Sequence, residues 1–157
     1  MPIAPAYRKK LPKCIGAPNI PANVFCATDY HLDWIESDLK LLHTEPRGEP
    51  PPMPVSSEGF NSNQREFELL IAFAEERIPD TTHVVLVETK AYTCWNSRQL
   101  DLKVTRLQEI FDNQYVDLNL VKPHFVLLFN QRPSGIKQGF VNEWSCWMKN
   151  YHTIPTG

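Results

Sequence analysis

Apolar residues recur along this chain with two different periods. Leu32, Ile35, Leu39 and Leu42 return at intervals of three and four, the signature of one helix face. Thr28 or Asp29 is the expected N-cap, and Asp33, Glu36 and Lys40 occupy the opposite face. Glu66 to Phe73 alternates instead. Phe67, Leu69, Ile71 and Phe73 fall on one face of a strand, and Glu66, Glu68, Leu70 and Ala72 on the other. His83 to Tyr92 predicts a second strand, apolar on both faces until Glu88 and Lys90, as in the interior of a sheet. Between them, Glu75 to Thr82 contains Pro79-Asp80 and reads as a turn. Asn96 to Phe111 predicts a helix with Leu100, Val104, Leu107 and Phe111 as its apolar stripe. Asn96, Gln99, Lys103 and Arg106 form a polar stripe, and Asn96 with Gln99 has the spacing of a capping box. His124 to Phe129 predicts another strand, and Trp144 and Trp147 belong to a short helix or a packed tail.

Two proline-dense stretches interrupt this pattern. Residues 1–25 contain five prolines and are expected to wrap the surface without a long regular element. Glu45 to Pro54 contains five more and reads as a loop. The strands lie among helices, so the fold class is α/β (α+β). A chain of 157 residues with 42% hydrophobic and 22% charged residues suits one domain. Its expected parts are an arm at 1–27, a core at 28–130 and a tail at 131–157.

Several function classes drop out. No stretch approaches the roughly 18 apolar residues of a membrane helix. The start, Ala4-Pro5-Ala6-Tyr7-Arg8-Lys9-Lys10, is basic and broken by proline, unlike a secretory signal. Cys14, Cys26, Cys94 and Cys146 form no CxxC pair and no zinc spacing. The expectation is a reduced, cytoplasmic protein. There is no GxxxxGK[ST], GxGxxG or GxSxG motif. Charge is uneven: residues 1–13 carry +4, residues 14–89 carry −9 and residues 90–157 carry +3. That distribution suits either a polyanion partner with a local cation site or an ordinary solvated surface.

Glu88-Thr89-Lys90 closes an apolar strand, where charge is expensive to bury unless paired or metal-bound. Glu88 and Lys90 share a face because the strand period is two. Glu68 is their natural companion if the two strands form a hairpin. Two carboxylates and a backbone carbonyl suit Mg²⁺, which takes oxygen ligands. A lysine beside them can orient an attacking water or neutralise developing charge. A structural ion pair of Lys90 with Glu88 or Glu68 is the competing reading.

These residues in this order resemble the PD-(D/E)XK nuclease superfamily. The resemblance implies a restriction-endonuclease-like αβββαβ core with a mixed central sheet flanked by helices, its first strand falling near Val55 to Phe60. It places Glu68 at the second-strand acid, Glu88-Thr89-Lys90 at the (D/E)XK, and Gln99 at the start of the following helix. The segments VETKAYTCWN and RQLDLKVTRL carry the likeness most strongly. Glu68 stands where that family usually has Asp. The literal Pro79-Asp80 is not the family's PD, because eight strand residues separate Asp80 from Glu88, about 26 Å at ~3.3 Å each.

The implied activity is a Mg²⁺-dependent nuclease, with Mn²⁺ as a substitute, hydrolysing DNA phosphodiester bonds. Glu68, Glu88 and the Thr89 carbonyl would bind the metal, Lys90 would assist the water, and Gln99 would support the site. Glu36 is either a further ligand or a solvated helix charge. Gln99 either positions substrate or caps its helix. Lys103 and Arg106 either contact phosphates or form an exposed stripe. His31, His83 and His124 are expected in structural roles, Trp95 in base stacking or the core, and Cys94 lacks an activating neighbour. Cutting both strands implies a homodimer. The alternative function is a non-catalytic nuclease-like module that binds nucleic acid or a protein partner.

Overall fold

A computed structural model describes residues 3–17, 19–43, 66–75, 78–90, 97–114, 116–129, 144–148 and 152–155. Helix α1 spans Pro5–Ile15. Proline opens it, where a missing N–H costs nothing. Gly16 closes it at φ 70, and the Ala17 N–H donates to the Pro12 carbonyl at 3.1 Å. That six-residue bond is a Schellman cap. The expectation of an irregular arm over 1–27 is therefore corrected. Pro5 sits at a helix start, and burial of Leu11 and Ile15 holds the helix despite Pro12 inside it.

Strand β1 is Phe25–His31 and helix α2 is Leu32–His43. Thr28 and Asp29, expected to cap the helix, lie in β1 instead. Strand β2 is Glu66–Glu75, strand β3 Ile78–Lys90, helix α3 Ser97–Phe111, strand β4 Val121–Phe129 and strand β5 His152–Pro155. The connection from β2 to β3 is tighter than expected, with Pro79 and Asp80 already in β3, near its start where proline is tolerated. The expected first strand near Val55 to Phe60, the Glu45 to Pro54 loop, Trp95 and Asn96 lie outside the described residues.

The strands form one mixed sheet in the order β1-β2-β3-β4-β5. β1, β2 and β3 are successively antiparallel, and β3-β4 and β4-β5 are parallel. A parallel pair needs a long crossover, which α3 provides between β3 and β4. Alternation along the strands divides the core into two layers. Val84, Leu86, Phe125 and Leu127 pack under Leu32, Ile35 and Leu39 of α2 and Leu100, Val104, Leu107 and Phe111 of α3. Val85, Val87, Val126 and Leu128 pack under Leu11 and Ile15 of α1. The fold is thus α+β, a mixed sheet between α1 on one side and α2 and α3 on the other. No helix among the described residues is long and apolar enough to cross a membrane.

One strand breaks its alternation. Leu69, Ile71 and Phe73 face α1 as expected, but Phe67 joins Leu70 on the α3 side. Its ring meets Phe125 edge-on at 5.9 Å. The break falls at Glu68, opposite Asp29, whose φ of 52 is left-handed. The β1-β2 register passes from Thr28↔Leu69 to Tyr30↔Phe67 without pairing these two residues. The register itself is the same on both sides of that position, so Phe67 leaves the face that strict alternation predicts through a local break and not through a shift of the ladder.

Candidate functional site

The charged residues that close β3 do not meet solvent as an open cluster. Glu88 points to the α3 side, where alternation places it with Leu86. It is 5% exposed, and Lys103 of α3 is 8% exposed. The Lys103 Nζ donates to Glu88 Oε2 at 2.6 Å. That ammonium also lies 5.2 Å from the centroid of the Phe67 ring, within cation–π range. Burying two charges costs several kcal/mol per ion, and close pairing with further contacts is what offsets it. The displaced Phe67 supplies one such contact.

Glu68 serves Thr89 next door. Its carboxylate accepts the Thr89 N–H at 3.1 Å and also the Thr89 hydroxyl. The β2-β3 ladder ends at Leu69↔Val87, so the Glu68 side chain receives an amide just past the last backbone pair. Both carboxylates therefore lie at one end of the β2-β3 hairpin. Glu68 bonds Thr89, and Glu88, the residue before it on β3, bonds Lys103 of α3; the side chains of these two adjacent β3 residues point to opposite sheet faces. The side chains of Lys90 and Gln99 lie outside the described residues.

Lys103 and Arg106 do not form the exposed phosphate-contacting stripe. The helix rotation that buries Leu100, Val104 and Leu107 carries Lys103 inward as well. Arg106, three residues on, bridges α3 to α2. Its Nη2 donates to Asp33 Oδ1 at 2.8 Å and to Glu36, and its Nη1 to Glu109 at 2.9 Å. Burial alone would lower the Arg106 guanidinium, but these carboxylates raise it above its ordinary value. Glu36 is held below the usual carboxylate range: Lys40 at 2.8 Å and Arg106 outweigh the effect of its burial. Glu36 is thus tied into the α2-α3 interface rather than aimed at Glu88.

The other end of β3 holds a cluster that the sequence did not reveal. His83 is buried. Its Nε2 lies 3.1 Å from Glu75 Oε2 and its Nδ1 lies 2.8 Å from His124 Nε2. Lys122 Nζ reaches the same Glu75 oxygen at 3.4 Å. The two imidazole planes differ by only 6°, with centroids 5.1 Å apart, so they meet edge to edge in one plane. Phe73 stacks on His83 at 4.9 Å. The hydrogen bond from His83, then Lys122, holds the Glu75 carboxyl below its ordinary range against a smaller opposing effect of burial. His83 and His124 are 41 residues apart in sequence. Only the parallel β3-β4 register, with His83↔Lys122 and Val85↔His124, brings them together.

The oxygen donors at the β2-β3 end fit Mg²⁺ in chemical kind. Among the described residues no group of three or more His, Cys, Asp and Glu is placed to hold a metal. A Mg²⁺ site needs fewer, since one or two carboxylates, waters and substrate phosphates commonly complete it. A carboxylate has about four lone-pair positions, more than one ammonium uses. No protein-family model, curated protein or solved structure matches the chain.

Proposed function

We propose that this chain is a metal-dependent nuclease that hydrolyses DNA phosphodiester bonds at the C-terminal end of β3. The observation that carries this reading is the pair of carboxylates, Glu68 and Glu88, at one end of a hairpin, one of them buried on a lysine. A chain that needed only stability would do as well with apolar residues there, because replacing a buried pair by hydrophobic side chains is often neutral or favourable.

The order of elements supports the restriction-endonuclease-like core. Taking α1 as the first helix and α2 as an insertion between β1 and β2, the sequence of elements is αβββαβ. Three antiparallel strands and a parallel fourth follow that order. The first helix is then α1, not the 28–42 segment, and the first strand is β1.

In this reading Glu68, Glu88 and the Thr89 carbonyl would hold Mg²⁺, or Mn²⁺ in its place. The ion would polarise the scissile phosphate and acidify a bound water. Lys103 is a positioning residue that fixes the Glu88 carboxylate against the sheet. Lys90, the last residue of β3, orients the attacking water, and Gln99 in the first turn of α3 supports it. A second reading, a non-catalytic nucleic-acid-binding module, is favoured by a different observation. Glu68 and Glu88 both already have protein donors, as purely structural carboxylates would.

The deciding experiment is cleavage of plasmid, linear, branched and single-stranded DNA across Mg²⁺ and Mn²⁺ titrations. The parent should cut, and Lys90→Ala should abolish cleavage with the circular dichroism spectrum unchanged. A parent that binds DNA and cuts no substrate with either metal establishes the non-catalytic reading.

A further inference from the structure

The cations expected to meet phosphate are neutralised inside the fold, so the partner-facing positive charge lies elsewhere. Lys40, Lys103, Arg106 and Lys122 each face a carboxylate within 3.4 Å. Helix α1 is different. It carries Arg8, Lys9, Lys10 and Lys13, and no acidic residue occurs anywhere before Asp29. Lys9, Lys10 and Lys13 are exposed, and among the described residues no carboxylate pairs with them. Arg8 turns instead toward the Ala22 carbonyl at 3.4 Å.

Helix geometry makes these three lysines one surface. Lys13 lies three residues after Lys10 and four after Lys9, so it neighbours both on the helix surface. Leu11 and Ile15 point the other way into the sheet. The helix is therefore pinned by its apolar side and presents ammonium groups outward. Its position along the sheet is also informative. Tyr7 and Leu11 meet Leu69, Val87 and Leu128 around one apolar pocket. Leu69 and Val87 directly adjoin Glu68 and Glu88, so α1 lies over the strand ends that carry the candidate site.

We propose that Lys9, Lys10 and Lys13 of α1 form the surface that grips the DNA phosphate backbone. This rests on the nuclease-like reading for its choice of polyanion, but not on catalysis. Three flexible lysines with no acceptor pattern suit a repeating phosphate chain, which is bound through charge without base readout. They lie on the sheet face opposite α3, so the backbone would approach the hairpin end from the α1 side.

The test is fluorescence anisotropy of a labelled 20-base-pair duplex over a KCl series. It compares the parent, Lys9→Gln/Lys10→Gln/Lys13→Gln, and Lys122→Gln as a paired-cation control. Each phosphate contact contributes about 0.9 to the slope of log K against log salt. The triple variant should lose about 2 to 3 from that slope, and Lys122→Gln should keep the parent's value. Circular dichroism checks folding. Lysine acetylation of the parent, read by mass spectrometry, gives a second measure that needs no variant: bound duplex should protect Lys9, Lys10 and Lys13.

An unchanged slope in a folded triple variant, or no protection of the three lysines, overturns the proposal. If that happens while the parent still cuts DNA, the nuclease reading survives. If the parent binds through α1 and cuts nothing, the nuclease reading fails and the surface stands. A parent that binds phosphatidylglycerol vesicles or an acidic peptide but no duplex at any salt also overturns it, and assigns α1 to another partner.

Discussion

The two ends of β3 hold their carboxylates in opposite ways. At the C-terminal end, Glu88 meets the ammonium of a lysine from α3. At the N-terminal end, Glu75 meets a histidine that leads to a second histidine. The first arrangement is a direct charge pair between sheet and helix. The second is a chain of groups whose proton positions depend on one another. A carboxylate can therefore be held by a strong point charge or by a relay, and each makes a different prediction when it is broken.

The largest effect is expected at the Glu88–Lys103 pair. Lys103→Met leaves a buried carboxylate uncompensated, and should cost about 3–5 kcal/mol. Glu88→Leu combined with Lys103→Met removes both charges, and should recover most of that loss. Urea unfolding of the two single variants and the double variant completes the cycle. A cost below about 1 kcal/mol for Lys103→Met would place the pair in the class of solvent-exposed bridges.

A smaller effect is expected one helical turn away. Arg106 is more exposed than Lys103, with 22% of its side chain accessible. Its bonds to Asp33, Glu36 and Glu109 are screened accordingly. Arg106→Gln should cost on the order of 1 kcal/mol, and the cost should fall as salt rises. The Lys103→Met penalty should hardly respond to the same salt series. Equal salt sensitivity at both positions would erase the distinction between the buried pair and the interface network.

Acid separates the two ends in another way. Glu75 has its folded-state carboxyl lowered by His83 and Lys122. A depressed carboxylate stabilises the fold above the ordinary carboxylate range, and that contribution is lost as pH falls through the folded-state value. The parent should therefore exceed Glu75→Gln in stability near neutral pH, with the gap closing toward strongly acidic pH. Urea midpoints of both proteins over a pH series measure it. A gap that widens on acidification contradicts the sign.

Much of this contrast was hidden in the sequence, for identifiable reasons. The strands, α3 and the antiparallel hairpin were legible, because local periodicity records which side of an element is buried. The pattern also placed Glu68 at the β3 end that carries Glu88, where it was expected beside Glu88 and Lys90, but not its bond to Thr89. Three things were not legible. Helix α1 was masked by Pro5 and Pro12, since its support comes from the sheet and from the Gly16 cap. The facing of Phe67 depends on the left-handed Asp29 across the ladder, which no pattern within β2 records. Lys103 looked like part of a polar stripe, but it adjoins Val104 at the margin of the apolar one. A long lysine there can turn inward once a carboxylate is waiting on the sheet.

The smallest expected effect moves one proton without moving the fold. An ionised Glu75 can only accept, so a neutral His83 must carry its hydrogen on Nε2, the nitrogen 3.1 Å from Glu75. The His83 Nδ1 is then a lone pair, and the His124 nitrogen facing it at 2.8 Å must be the donor. The opposite arrangement would set the His83 Nε2 lone pair against the carboxylate, which is repulsive. When neutral, both imidazoles should therefore be Nε2–H tautomers, with His124 presenting Nδ1 as its remaining acceptor. Long-range ¹H–¹⁵N correlation spectra distinguish the tautomers directly. In Glu75→Gln the side-chain amide can offer either its NH₂ or its carbonyl, so the constraint on His83 relaxes and its two tautomers should mix. Lys103 has no such freedom, because an ammonium can only donate, and Glu88→Gln should leave both histidine spectra unchanged. An Nδ1–H tautomer of His83 in the parent would reverse the direction of the whole chain from Glu75 to His124.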